Sequence, residues 1–353
     1  MNDLGQRIAR LIQAQGPLSV AQFMTMALFD PVAGYYATRD PFGAGGDFIT
    51  APEVSQMFGE LLGLWIVQCW LDQGKPRARL VDLGPGRGTL MADALRAARL
   101  VPEFLSSVEV VMVEASPTLT AIQKETLKDV PLPIRWTERF DDIPADRPLF
   151  LLANEFFDAL PIHQFVKTER GWCERMVVNA GDHLDFALAP DALNITPPNG
   201  VVAPMGAFYE TSPASTALVQ QIAQVIAHRG GAALIVDYGY GADRGFGETL
   251  QAVGDHKFAK ILDAPGEVDL TAHVDFTALA DAAQAAGAET FGPVEQGEFL
   301  VSLGIVQRAE KLSHNRLDEC QDGLDRLTKP DQMGTLFKAI AIMPSNANTP
   351  PGF

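Results

Sequence analysis

Asp82-Leu83-Gly84-Pro85-Gly86-Arg87-Gly88-Thr89 decides how the rest of this chain is read. It follows a β-type run, Leu80-Val81-Asp82-Leu83, and opens a helical run beginning near Leu90, so it stands at a strand-to-helix turn. Glycine at every second position lets the backbone turn sharply and approach a ligand within contact distance. The following helix adds its positive end. A dinucleotide fingerprint would place its third Gly or Ala at position 89, where Thr89 stands, and the glycine comes one residue early. NAD is therefore disfavoured. No Lys-Ser or Lys-Thr pair follows the loop, which excludes a loop that cradles a nucleoside triphosphate.

What remains is the D-x-G-x-G-x-G form found on S-adenosylmethionine enzymes, whose cofactor has no phosphates and carries an amino acid plus a sulfonium. On that reading the backbone of Gly84, Gly86 and Gly88 packs against the cofactor and Asp82 lies under its ammonium-bearing end. Glu114, ending Val110-Val111-Met112-Val113-Glu114, takes the ribose, because a carboxylate can accept from two vicinal hydroxyls at once. The plain alternative is a tight turn with an ordinary surface acid. Trp136 and Thr137, near the end of a third run, are placed either to flank the adenine or to serve as core.

Outward from the loop, β-type runs alternate with helical stretches: Leu80 to Leu83, Val108 to Glu114, Ile134 to Trp136, Leu149 to Ala153 and Ala232 to Asp237. This is the sequence form of a parallel sheet covered by helices, an α/β fold. Between the fourth and fifth runs the chain is longer than one crossover needs, and Trp172 to Val178 with His183 to Ala187 read as an inserted hairpin. Upstream, Thr50-Ala51-Pro52-Glu53 reads as a capping box, with Ile49 and Val54 as its hydrophobic staple, before a helix running to about Leu71. The expected organisation is N-terminal helices and a lid over 1–75, the α/β domain over 76–343 with an insertion at about 164–211, and a flexible tail over 344–353. Composition is that of a globular protein, with 47% hydrophobic residues. The net charge of −17 argues against nucleic acid and anionic lipid as partners. Cys69, Cys173 and Cys320 form no CxxC, so no cysteine-based metal site is expected. No apolar run is long enough to span a bilayer, and the first thirty residues show neither a signal-peptide core nor an Arg-rich transit pattern. The expected location is cytoplasmic.

Several separated blocks resemble one known family. They are Gly34-Tyr35-Tyr36, Gly46 to Glu53, Phe58-Gly59-Glu60, Asp82 to Gly88, Asn154-Glu155-Phe156-Phe157-Asp158-Ala159-Leu160-Pro161, Asp237-Tyr238-Gly239 and Asp269 to Phe276. Together they are similar to the MidA-type methyltransferases, over roughly positions 17 to 343 and in the same order. This family includes a mitochondrial complex I assembly factor with protein arginine methyltransferase activity. The resemblance implies a class I methyltransferase fold, Rossmann-like, with a seven-stranded sheet whose last strand, Thr335 to Met343, runs antiparallel. It also implies S-adenosylmethionine as cofactor but does not carry the substrate; the expected acceptor is a protein, with a subunit of respiratory complex I or its homologue as the candidate and other acceptors left open.

Methyl transfer is an in-line displacement, so catalysis consists mainly of holding the acceptor close and aligned. Ligands of open α/β sheets sit beyond the carboxyl ends of the strands, which makes Asn154, Glu155 and Asp158 acceptor-side candidates. Glu155 and Asp158 would share a face if their segment turned helically. His273, and after it His163, could take the departing proton, and Asp237 and Tyr238 could line the same cleft. Asp30 to Thr50, with Gly43, Gly45, Gly46 and Asp47, reads as a lid anchored at Thr50. The leading expectation is a protein arginine N-methyltransferase. A small-molecule methyltransferase and a catalytically silent cofactor-binding assembly factor are the rivals.

Overall fold

The alternating runs after Arg79 become one sheet. A computed structural model describes residues 1–38, 50–196, 202–242, 246–254, 257–312 and 317–353. Strands β1 (Ala78–Leu83), β2 (Val108–Val113), β3 (Ile134–Thr137), β4 (Leu149–Asn154), β5 (Gly231–Tyr240), β6 (Ala288–Glu295) and β7 (Phe337–Pro344) lie in the order β6-β7-β5-β4-β1-β2-β3. Neighbours from β5 to β3 run parallel, while β7 is antiparallel to both β5 and β6, as expected of the last strand. Val274–Asp275 adds a short parallel pairing to the end of β5. Every residue of β1 and β4 is buried, the condition of a parallel sheet covered on both faces. From β1 the chain moves one way to β2 and β3 and then returns to the other side for β4. A crevice therefore opens beyond the carboxyl ends of β1 and β4.

On one face of this sheet, Leu80, Met112, Phe150 and Leu152 share a core with helices α1 (Gln56–Asp72) and α2 (Thr89–Ala98). Those two helices meet at glycines. A Cβ on Gly63 would lie 2.5 Å from Ala94 Cα, and one on Gly59 would lie 2.7 Å from Asp93 Cβ. The contact is closed by Glu60, 5% exposed, which accepts from Arg96 Nη2 at 2.9 Å and from Arg308 Nε at 2.6 Å.

Two local expectations are corrected here. Thr50 heads only the four-residue turn Ala51–Val54 and makes no side-chain cap, so the capping box does not form. Ser55, extended at φ −160°, interrupts the helix and caps α1 itself by accepting from Met57 N at 3.3 Å. Glu53 binds the Thr89 hydroxyl instead. Ile49, the other half of the staple, lies outside the described residues, as do residues 39–49 of the expected lid, Asp47 among them. The tail expected to be flexible is packed: Trp65 Nε1 donates to Pro351 O at 3.0 Å, and the Phe353 ring lies 5.2 Å from that of Phe299. A buried indole N–H needs an acceptor, and the tail supplies it.

The chain divides into two compact units, and the division differs from the one expected along the sequence. The unit just described comprises Pro41–Phe157, Thr216–Ala242 and Val274–Phe353. The other comprises Met1–Asp40, Asp158–Ser215 and Asp243–His273. Its main sheet is antiparallel. The expected hairpin appears as Gly171–Asn179 with Leu184–Leu193, joined by His163–Thr168, Phe208–Thr211 and the two residues Leu18–Ser19, whose register sets Leu18 opposite Val177. That pairing, and the bond from Asn179 Nδ2 to Ala9 O, tie the N-terminal helices Asp3–Gln15 and Val20–Phe29 to the inserted segment. A smaller sheet of Gln251–Gly254, Lys257–Ala259 and Asp269–Thr271 completes this unit. Among the described residues no helix is long and apolar enough to cross a membrane.

The close approach of α1 and α2 generates a stability prediction. Gly63→Val should lower stability by about 1–3 kcal/mol or more, because overpacking forces two helices apart. Urea denaturation followed by circular dichroism measures this, and an unchanged midpoint would remove the helix contact from the account.

Candidate functional site

The loop after β1 explains its own glycines. Gly84, Gly86 and Gly88 have φ of +60°, +54° and +84°, backbone conformations that L side chains rarely adopt. At Gly84 space is also short, since a Cβ would lie 2.6 Å from the Phe156 ring. Gly84 N donates to Val113 O at 3.1 Å, which ties the loop to the end of β2, and Gly88 is the N-cap of α2. Gly84 to Arg87 form one wall of a cleft whose other lining includes Asp82, Asn154, Glu155 and Glu53.

At the floor of this cleft the fold leaves acceptors without donors. Asp82 is 1% exposed, and among the described residues neither carboxylate oxygen has a hydrogen-bond partner; the same holds for Oδ1 of Asn154, which is 9% exposed. Burial, and then the nearby charge of Glu114, push the Asp82 carboxyl well above the usual carboxylate range.

One strand over, Glu114 stands just past β2, with its N–H on Thr137 O at 2.8 Å. Its Oε1 accepts from Ser116 N at 2.8 Å and its Oε2 from Gln123 Nε2 at 3.0 Å. Burial raises its pKa, and these two donors oppose the shift. Gln123 was not singled out from the sequence, yet it is fully buried and does more than hold Glu114. Its Nε2 also donates to Gly86 O at 2.8 Å, and its Oε1 accepts from Trp136 Nε1 at 3.0 Å. One amide thus links the glycine loop, the acid and the indole. A lone Gln on a helix carries no sequence signal for such a role, because its partners come from three other segments.

The segment after β4 is not helical as the shared-face reading of Glu155 and Asp158 required. Glu155 has φ +49°, its N–H donates to Val236 O at 3.0 Å, and only Phe157–Ala159 forms a short 3-10 turn. Asp237, fully buried, holds this backbone: its Oδ2 accepts from Phe156 N at 3.1 Å and Phe157 N at 2.9 Å, and its Oδ1 from Tyr238 N at 2.9 Å. The Tyr238 ring packs against Phe337, with centroids 5.5 Å apart. Glu155 Oε1 accepts from Ala51 N at 2.9 Å and Asn154 Nδ2 at 3.1 Å, so it anchors the 51–54 turn at the cleft.

Asp158 and His273 belong to the other unit, where Asp158 O accepts from Ala272 N at 3.0 Å and His273 N donates to Thr249 Oγ1 at 3.0 Å. The same unit joins two of the family-like blocks through Tyr36 and Asp269. Tyr36 OH donates to Asp269 Oδ1 at 3.0 Å, and burial, with the charges of Asp269 and Asp158, pushes the Tyr36 hydroxyl well up. His163 is occupied by Glu174, with Nδ1 to Oε1 at 2.6 Å.

Chemically, a cleft that ends in unpaired acceptors and a carboxylate suits a ligand rich in donors and carrying positive charge. Phosphates, themselves acceptors, would leave the oxygens of Asp82 and Asn154 without donors and would be repelled by Asp82 when it is ionised. A zwitterionic amino acid joined to a ribose meets the requirement, which is the fit expected for S-adenosylmethionine.

Comparison with known proteins agrees. A family model described as S-adenosyl-L-methionine-dependent methyltransferase matches residues 61–294. The chain is 40% identical over 94% of its length to protein arginine methyltransferase NDUFAF7, mitochondrial, of Mus musculus, covering 82% of that protein. It is 38% identical to the Homo sapiens protein of the same name, over 94% of this chain and 81% of that one. The crystal structure of a COG1565 superfamily member from Burkholderia thailandensis bound to S-adenosyl-homocysteine superposes with a TM-score of 0.88 at 29% identity, covering 99% of this chain and 93% of that one. These relatives also correct one expectation: the NDUFAF7 proteins are named mitochondrial, which overturns the cytoplasmic location read from the missing transit pattern. With matched sequence along nearly the whole chain and a cleft that suits the cofactor, the protein belongs to the S-adenosyl-L-methionine-dependent methyltransferase family.

Proposed function

We propose that this methyltransferase acts on arginine in a protein client, with a subunit of respiratory complex I or its homologue as the candidate. The observation that carries the reading is the 40% identity, over 94% of the chain, to a protein named as a protein arginine methyltransferase. When bound, the cofactor supplies an electrophilic methyl on a sulfonium. The backbone of Gly84, Gly86 and Gly88 forms the wall against which it lies, Asp82 holds its cationic amine, and Glu114, oriented by Ser116 N and Gln123, takes the ribose hydroxyls. A guanidinium is cationic and needs a carboxylate to orient it, and Glu155 is the carboxylate on this cleft assigned to that task. Asp158 and His273 lie in the other unit and are left out of this assignment.

Transfer of tritiated methyl from the cofactor into lysate of cells lacking the protein, followed by identification of the labelled species, tests the acceptor. Label on arginine of a protein is expected; label confined to small molecules would overturn the reading. Glu155→Gln keeps an amide oxygen that can still accept from Ala51 N and Asn154 Nδ2, so it should keep cofactor affinity and, having lost its charge, lose most of this transfer; full transfer by the variant would remove Glu155 from the acceptor side.

Two further substitutions separate the cofactor contacts. Gly86→Val should abolish binding of S-adenosylhomocysteine in a protein that still folds, because a β-branched residue at φ +54° both strains the loop and fills the cleft. Glu114→Ala should weaken the same ligand by about 1–3 kcal/mol, the scale of lost hydrogen bonds to a charged group. Titration calorimetry reads both, and a Glu114 effect confined to turnover would put the ribose elsewhere.

The pH dependence has a definite sign. Burial raises the Asp82 pKa in the free protein, and a bound ammonium favours the ionised form, so binding releases a proton. Affinity should therefore fall as pH drops below the free-protein pKa and level off above it. Calorimetry in two buffers of different ionisation enthalpy detects the released proton; uptake of a proton would contradict the assignment.

A further inference from the structure

Asn154 stood among the acceptor-side candidates because it ends the fourth strand. Its surroundings point the other way. Asp82 is paired in register with Leu152, and Leu83 with Ala153, so Asn154 lies one pleat beyond Asp82 on the neighbouring strand. Side chains two apart on a strand share a face, and Leu80 and Leu152 both enter the core under α1. Asp82 and Asn154 therefore project from the same face of the sheet, and both line the same cleft.

The amide's orientation follows from its neighbour. Glu155 Oε1 lies 3.1 Å from the amide nitrogen, and an ionised carboxylate only accepts, so nitrogen must face it and Oδ1 must face away. Among the described residues that oxygen has no partner, and neither has either oxygen of Asp82, although both residues are at least nine-tenths buried. Buried acceptors are nearly always satisfied, and two such groups on one cleft call for one ligand group carrying several donors. A carboxylate beside an amide oxygen suits a primary ammonium, with three N–H donors and one positive charge.

We infer that Asp82 and Asn154 together form the seat for the α-ammonium group of the cofactor's amino acid, so that Asn154 determines cofactor specificity and does not orient the methyl acceptor. This rests on the cofactor reading above and deepens it. Glu155 then has a second duty, holding the Asn154 amide with its oxygen toward the cleft.

Calorimetry on the full-length protein tests this with two ligands: S-adenosylhomocysteine, and its deamino analogue in which hydrogen replaces the ammonium group. The wild type should bind the first more tightly by about tenfold or more, the scale of a charge-assisted hydrogen bond. Asn154→Leu, of similar shape, should erase much of that preference by weakening S-adenosylhomocysteine alone. Asp82→Asn should also weaken S-adenosylhomocysteine, yet bind the deamino analogue as well as the wild type or better, because a buried carboxyl left without a partner by that ligand has gone. The two losses should not add, since both groups hold one nitrogen.

Equal wild-type affinity for the two ligands would overturn the seat without any variant being needed. Equal weakening of both ligands by Asn154→Leu would reduce Asn154 to a structural role, and intact S-adenosylhomocysteine affinity with lost turnover would return it to the acceptor; either result overturns the inference. Absence of S-adenosylhomocysteine binding by the wild type would instead sink the cofactor reading itself, a result distinct from the other three.

Discussion

A carboxylate that finds no donor within its own unit, Asp82, is held at the end of a strand buried along its whole length. Leaving a charge in that position is costly, and its pKa rises in response. The surroundings make sense as the means of keeping it there. A parallel sheet covered on both faces excludes water, the reversal of strand order between β1 and β4 opens a crevice at the carboxyl ends, and the glycine loop leaves room for a ligand beside the acid. The fold thus stores an unmet requirement for positive charge at this strand end, which the proposed seat for the cofactor's ammonium would meet.

The rest of the site is held by side chains that need not touch a ligand. Gln123 uses its whole amide on protein: two donations, to Gly86 O and Glu114, and one acceptance from Trp136. Asp237 gathers three backbone N–H groups and so fixes the left-handed turn that begins at Glu155. Both are fully buried, and both act across elements far apart in sequence. Trp136 accordingly has a firm orientation, with its N–H on Gln123 and the Lys124 ammonium 5.4 Å from its ring centroid.

Much of the architecture was legible because its causes are local. Short β-type runs marked β1, β2 and β4, the Gly-x-Gly-x-Gly spacing marked the turn, and Gly84, Gly86 and Gly88 adopt positive φ. The capping box at Thr50 failed for the opposite reason. The motif is a local competition, and Glu53 was drawn off by Thr89, a residue on another helix, while Ser55 capped α1 from within. The tail misled in the same way, since a Pro- and Asn-rich composition says nothing of a buried Trp65 N–H waiting for Pro351 O.

The sequence by itself determined the fold class, the cofactor class and the positions of the loop and its acids, because periodicity and glycine placement are properties of neighbouring residues. Tertiary structure alone decided which groups meet: Leu18–Ser19 on the inserted sheet, Tyr36 with Asp269, Gln123 with three partners, and Asn154 one pleat beyond Asp82 on the neighbouring strand. Each depends on pairings between distant segments, and on whether a buried polar atom finds its partner in the protein or must wait for one. No local pattern carries that information, since satisfaction is settled only when the whole sheet has closed.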